Sequence, residues 1–400
     1  MYARRALAGS FTALLLPASL LLVTGSSSAT DAGDNQPAAA AVTTDRKAKT
    51  KVKLVAHPQL AQQGKKATSA NKALSVFTGT VKPGKPNRPV VLQMKKGGWK
   101  TIAKGKTLAK GRVEIAGKTK KGAKYRLTAL PFKGAAAASS KPVTIDKYLT
   151  PLFSDEFTGS SLSSNWTQRQ QGYFAESLRA CSKGDPRATA VTGGTLRLSV
   201  LKDPDRSDKC DALKDGKSTG MYAYRLNGHV GTMDAFSFKY GYAAARIKMH
   251  KSRGQHSSFW MQPAVPNNTM AAPATGGAEI DIIEYFGDKH PNGGLTSFTY
   301  SYNNGKQIKN GDWIKGSTRF LANKKDGWSK NYHVFSVEWT PKEYIFRIDG
   351  KETWRTKVGV SGVDQYLILS LLSSDYALNL GGDKVLPQHN YVDWVRVWGL

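Results

Sequence analysis

Glu279, Asp281 and Glu284 fall within the run Glu279-Ile280-Asp281-Ile282-Ile283-Glu284. The isoleucines mark a buried β-strand, and carboxylates lined up along such a strand repel and raise one another's pKa, so folding alone does not select the pattern. Chemistry can. Cleavage of a glycosidic bond needs two carboxyl groups held a few ångströms apart, one ionised and one protonated. Strand side chains alternate faces, so Glu279 and Asp281 share one. Glu284 would point away from Asp281 unless one extra residue is inserted, and the spacing predicts a β-bulge at Ile282 or Ile283. The two glutamates are then about four steps apart, roughly 13 Å between α-carbons at about 3.3 Å per residue. Side chains of about 4 Å reach leave the carboxyls about 5 Å apart, the separation of a retaining rather than an inverting mechanism.

The elements that must position these acids are strands. Glu343-Tyr344-Ile345-Phe346-Arg347-Ile348, Asp349-Gly350 and Lys351-Glu352-Thr353-Trp354 read as a hairpin with a type I′ turn. Asn227-Gly228 predicts another turn. Hardly any stretch carries the 3.6-residue apolar period of a long helix, so the class is all-β. The roughly 250 residues after position 150 can bury a full core as one domain.

Further stretches follow the order of a known family. Phe153-Ser154-Asp155-Glu156-Phe157, Tyr240-Gly241-Tyr242-Ala243-Ala244-Ala245-Arg246-Ile247-Lys248 and Ser258-Phe259-Trp260-Met261 precede the acid run. His333-Val334-Phe335-Ser336-Val337-Glu338-Trp339-Thr340 and Val392-Asp393-Trp394-Val395-Arg396-Val397-Trp398 follow it. Together they resemble glycoside hydrolase family 16, in the bulged form of its laminarinase-like members and of a secreted, actinobacterial type. The resemblance implies a concanavalin-like jelly-roll β-sandwich over residues 150–400 with an open cleft for a polymer entered mid-chain. It implies Glu279 as nucleophile, Glu284 as acid/base with a raised pKa, and Asp281 between them tuning the pair. The substrate implied is β-1,3- or mixed-linkage glucan. A wall-polysaccharide transglycosylase and a non-catalytic carbohydrate-binding protein are the alternatives. The positions of Glu156 and Asp393 often help bind a structural calcium in this family, which is implied here as well. Catalysis requires no cofactor.

Aromatic faces bind sugar rings. Trp260, Tyr285, Phe286, Tyr300, Tyr302 and Trp313 are the candidates near the signature, with Trp260 foremost. His256 stands where many laminarinase-like members carry a tryptophan. Trp339, Trp354, Trp394 and Trp398 alternate along strands and are assigned to packing. Gly216-Lys217-Ser218-Thr219 lacks the first glycine of a phosphate loop, and the histidines show no His-Glu-x-x-His spacing.

The ends and the charge describe an exported, modular chain. Arg4-Arg5, an apolar stretch through Leu22-Val23 and small residues near Ser28-Ala29 predict a signal peptide over 1–29, and no later apolar run reaches membrane-spanning length. Residues 30–50 lack periodicity and predict a disordered linker. Short alternating runs at Val76–Val81, Val90–Met94 and Tyr125–Thr128 predict a small immunoglobulin-like β-sandwich over 51–146, with Trp99 in its core. Of the 59 Lys and Arg, 26 lie in residues 31–150 against 5 acids, and 31 lie in residues 151–400 against 24. Charge so concentrated implies an anionic cell-wall polymer as partner of the N-terminal module, beside the polysaccharide substrate. Nucleic acid is the weaker alternative. Cys181 and Cys210, the only cysteines, predict a disulfide restraining a polar loop that carries Lys202, Asp203 and Asp208. The whole predicts a secreted monomer, extracellular or attached to the cell wall.

Overall fold

The computed structural model describes residues 49–67, 72–169, 171–265 and 269–400. The expected signal peptide and nearly all of the expected linker lie outside the described residues. Residues 48–400 form one compact unit. Among the described residues the one α-helix is the single turn Pro273–Gly276.

Two antiparallel sheets make the larger part. The front sheet runs, in spatial order, Arg225–Gly231, Gln365–Ser373, Gln255–Pro263, Ala278–Tyr285, Leu295–Asn303 and Lys306–Trp313. The back sheet runs Thr189–Thr192, Thr195–Lys202, Gln388–Trp398, Gly241–Lys248, His333–Trp339, Tyr344–Ile348 and Lys351–Thr356. Arg225–Gly231 also pairs with Thr195–Lys202, which joins the sheets at one edge into a jelly-roll sandwich. Alternation sends Phe259, Ile280, Ile283 and Leu369 inward to meet Ala245, Val337, Trp339 and Val395. The outward positions of the front sheet are thereby left for polar and aromatic side chains.

Turn chemistry is obeyed in one place and overridden in another. Asp349 and Gly350 adopt φ of 47° and 78° in the predicted hairpin, as a type I′ turn requires. Asn227-Gly228, expected to turn, instead lies within strand Arg225–Gly231. The Asn227 amide donates to Ser182 Oγ at 2.9 Å and its oxygen accepts from the Ser373 amide at 2.9 Å. A Cβ on Gly228 would meet Ala188 O at 2.7 Å, so the glycine serves close backbone approach. Cys181 and Cys210 form the predicted disulfide, with α-carbons 5.5 Å apart. The segment between them is no single loop, since it contains strands Thr189–Thr192 and Thr195–Lys202.

The N-terminal strands form a three-stranded sheet, Lys51–Ala61, Leu74–Lys82 and Arg112–Gly117, and a four-stranded sheet, Gly98–Lys106, Pro89–Lys96, Tyr125–Ala129 and Ala138–Ser139. They enclose Phe77, Val90, Leu92, Tyr125 and Leu127. Trp99, expected inside, lies partly exposed with the Arg126 guanidinium 4.3 Å from its ring centre. A second apolar cluster welds this part to the outer face of the back sheet: Leu60, Ala61 and Val76 pack with Tyr242, Val334, Trp394 and Trp398. At its centre Arg246, fully buried, donates to the main-chain oxygens of Gln62 at 2.7 Å, Lys66 at 3.1 Å and Gly64 at 3.4 Å, and to Asp393.

Candidate active site

Register on the front sheet sets the site. Asp281 lies opposite Phe298 and Glu284 opposite Thr296, three steps on one strand against two on the other. On the other flank Ile283 pairs with Phe259 and Asp281 with Trp260. Ile282 is the residue in excess on that flank, and Ile282 and Ile283 together stand opposite Ser297 on the other, which is the predicted bulge. Ser297 Oγ donates to the Ile282 carbonyl at 2.8 Å. Ile282 and Ile283 both enter the core, and Glu284, opposite Ser258, returns to the face that Asp281 shares with Trp260. The three acids therefore line one face, with Glu279 opposite Tyr300.

Their surroundings differ. Gln262 Nε2 faces Glu279 Oε2 at 3.4 Å. The Gln262 oxygen accepts from Tyr366 Oη at 2.8 Å and from Arg169 Nη2 at 3.2 Å, which turns its amide toward Glu279. Arg169 Nη1 donates to Tyr366 Oη at 2.6 Å. Glu284 has His256 Nε2 at 2.8 Å from Oε1 and accepts from Thr296 Oγ1 at Oε2, also 2.8 Å. Burial pushes the Glu284 carboxyl up, but the nearby His256, its hydrogen bond, the Thr296 hydroxyl and the Arg179 charge outweigh it and hold Glu284 below the usual carboxylate range. This reverses the expected direction of its shift in the substrate-free protein. His229, buried and pushed well below the ordinary imidazole range by desolvation and by Arg169 and Arg179, stacks on Trp260 with ring centres 6.2 Å apart. Trp260 Nε1, both ring nitrogens of His229 and Ser370 Oγ are buried with no hydrogen-bonding partner among the described residues.

An aromatic wall continues from Glu284. Phe286 stacks on His256 at 4.5 Å, and His290 stacks on Trp313 at 4.3 Å with Phe286 beside them. Tyr300 packs against Phe298, under the Lys309 ammonium. Tyr302 Oη accepts from Gln307 at 3.0 Å near the strand end. Tyr285, expected against substrate, is 1% exposed in the core, because the residue after Glu284 points inward; its hydroxyl donates to Asp288. The expected calcium does not fit. Glu156 is paired with Arg396 at 2.8 Å and Asp393 with buried Arg246, and no cluster of three acidic, histidine or cysteine ligands occurs among the described residues.

Sequence reasoning passed over Arg169, Arg179, Gln262, His229 and Tyr366. Gln262 was within reach, since it follows His256, Ser258 and Trp260 on one strand face. The two arginines come from loops, where no periodicity reports direction.

Residues 148–400 match the family model described as "Beta-porphyranase A-D, GH16 domain". The glucan endo-1,3-β-glucosidase A1 of Niallia circulans is 25% identical over 273 residues, covering 62% of this chain and 37% of that protein. The Gram-negative bacteria-binding protein 3 of Drosophila melanogaster is 30% identical over 227 residues, covering 50% and 44%. The chain thus spans less than half the length of these curated relatives. The solved catalytic domain of an endo-1,3-β-glucanase (laminarinase) from Thermotoga petrophila RKU-1 superposes with a TM-score of 0.46 at 20% identity, covering 62% of this chain and 97% of that one. Through residues 148–400, more than half its length, this chain belongs to glycoside hydrolase family 16, in the group of the β-porphyranase A–D domain.

Proposed function

We propose that this protein is a secreted, retaining endo-glycosidase that cleaves β-linked polysaccharide by double displacement. Glu279 attacks the anomeric carbon, and Glu284 gives its proton to the departing oxygen. The same Glu284 then takes a proton from the water that resolves the glycosyl-enzyme. Asp281 separates the two glutamates on their common face. The bulge at Ile282 carries the reading, because without it Glu279 and Glu284 would lie on opposite faces of the sheet. The unpartnered Trp260, His229 and Ser370 groups supply hydrogen-bonding capacity for sugar hydroxyls beside the nucleophile. The wall of Phe286, His290 and Trp313 offers ring faces along the groove.

The proposed substrate is a β-1,3- or mixed-linkage glucan. His256 in place of the wall tryptophan, and the porphyranase-type family match, favour porphyran as the second candidate. Product analysis on laminarin, mixed-linkage glucan and porphyran, with Glu279→Ala as control, decides between them. Oligosaccharide release retaining the β-anomer is expected on one of the three. Release unaffected by Glu279→Ala, or products of inverted configuration, would overturn the assignment. The excess of lysine and arginine over acids in the N-terminal part supports an anionic wall polymer as a second contact.

A further inference from the structure

His256 and Arg179 have no part in the double displacement just described, yet both are directed at its acid/base. His256 Nε2 lies 2.8 Å from Glu284 Oε1 and 3.0 Å from Ser258 Oγ. The other ring nitrogen, Nδ1, lies 3.2 Å from Arg179 Nη2. A guanidinium offers donors only and keeps its proton in proteins, so the nitrogen facing it is the acceptor. A neutral imidazole with bare Nδ1 carries its hydrogen on Nε2, which then points at the Glu284 carboxyl. Phe286, stacked on the ring at 4.5 Å with 12° between planes, fixes the imidazole plane.

We infer that Arg179 and His256 are positioning residues that decide which oxygen of Glu284 carries the catalytic proton. Arg179 holds His256 as the Nε2–H tautomer, and that hydrogen stays on Oε1 whether Glu284 is ionised or protonated. The titrating proton is thereby confined to Oε2, beside Thr296. A hydroxyl suits that place, since it donates to an ionised oxygen and turns to accept from a protonated one. In the first displacement the hydrogen on Oε2 passes to the departing glycosidic oxygen as its bond to the anomeric carbon breaks and Glu279 bonds that carbon. In the second, Oε2 takes a proton from water as the water oxygen replaces Glu279. His256 keeps its hydrogen through both steps. The arrangement rests on Glu284 being the acid/base.

Arg179 is held in place from behind. Two residues on, Cys181 is bonded to Cys210, and its amide donates to both carboxyl oxygens of Asp375 at 3.3 Å. The charged and titratable groups facing Glu284 are His256 from Gln255–Pro263, Arg179 from the disulfide-tied segment, and Asp281 and Glu279 from its own strand; Thr296 faces it from Leu295–Asn303.

Long-range proton–nitrogen NMR on the chain labelled with nitrogen-15 histidine tests the tautomer and needs no substrate, the His256 signals being those lost in His256→Gln. A bare Nδ1 and a protonated Nε2 at neutral pH are expected, with Arg179→Met giving a mixture. A protonated Nδ1 in the unaltered chain would overturn the inference. Kinetics supply the second test, on whichever polysaccharide of the panel is cleaved. His256→Gln, which keeps an N–H donor, should stay within about threefold in kcat, whereas His256→Phe should lose about tenfold or more. In His256→Phe the basic limb of the kcat/KM profile should also move to higher pH, because Glu284 loses the contact that holds it low. A limb that stays put in His256→Phe sinks the positioning role while Glu284 remains the acid/base. Full activity of Glu284→Gln would instead sink the acid/base assignment itself.

Discussion

Glu279 and Glu284 are one residue type on one face of one strand, and their neighbours separate them. Glu279 is approached by an amide whose oxygen is already taken by Arg169 and Tyr366, while Glu284 is held by His256 and Thr296. That difference supports distinct tasks, and a substitution can separate them. Glu284→Gln should lose about 10²–10⁴-fold on polysaccharide, where the leaving sugar needs a proton, and lose far less in the first-turnover release of the aryl group from an aryl glycoside with a good leaving group, its steady-state turnover then being limited by the missing base. An equal loss in that first-turnover release would remove Glu284 from the acid role. The shared facing of the acids and Trp260 was legible because alternation converts spacing into direction. Tyr285 was misplaced because aromatic character alone says nothing of facing, although the same alternation puts it behind Glu284. His256 was legible as a departure in sequence; its engagement with Glu284 and Arg179 depends on a loop that folds back from some 77 residues away.

At the scale of elements, the bulge is a matter of parity. One surplus residue sends Ile282 and Ile283 to the same side and leaves every later side chain of the strand in phase with the groove. Deleting Ile282 restores strict alternation and keeps Glu279, Asp281 and Glu284 together, at the loss of a buried isoleucine and of the carbonyl that receives Ser297 Oγ. The deletion variant should fold with about 2–4 kcal/mol less stability by denaturant titration, with its acids still on one face. Inserting an alanine after Ile282 should instead turn Glu284 inward and abolish turnover, which the same assay with circular dichroism as a folding control would show. The sandwich itself was readable from short alternating runs and from Asp349-Gly350. Asn227-Gly228 misled because its turn propensity yields to two tertiary hydrogen bonds and to a neighbour too close for any Cβ.

The whole molecule carries its titration risk at the seam between its two parts and beneath the groove. His57 bridges Thr78 and Tyr242 at 2.7 and 3.1 Å, and burial with the charges of Arg347 and Lys147 lowers it to about 3. His250, buried behind the groove, is likewise lowered to about 3, chiefly by desolvation. Groups depressed in the folded state let the unfolded chain take protons first, so their stabilisation is full above about pH 6.5 and is lost as pH falls toward 3, at up to about 1.4 kcal/mol per pH unit each. Asp375, pushed up to about 6 by burial, opposes them with a single proton between about pH 4 and 6. Unfolding free energy should therefore fall from pH 6.5 to 4, and His57→Gln should flatten the slope; an unchanged slope would show that His57 titrates normally when folded.

The seam also bears on the N-terminal strands, which share an apolar cluster with the back sheet, and on the segment after Lys51–Ala61, which places three carbonyls on Arg246. A chain beginning at Thr150 would leave that guanidinium with Asp393 alone in place of hydrogen bonds worth about 1.5–3 kcal/mol each. Such a truncation should melt well below the longer chain beginning at Lys49, and equal melting temperatures would contradict the weld. Shuffling of modules by recombination meets the same obstacle. A chimera that grafts a foreign leader onto the catalytic sheets inherits an arginine whose acceptors were left behind in the other gene, unless the crossover falls upstream of the segment that delivers them.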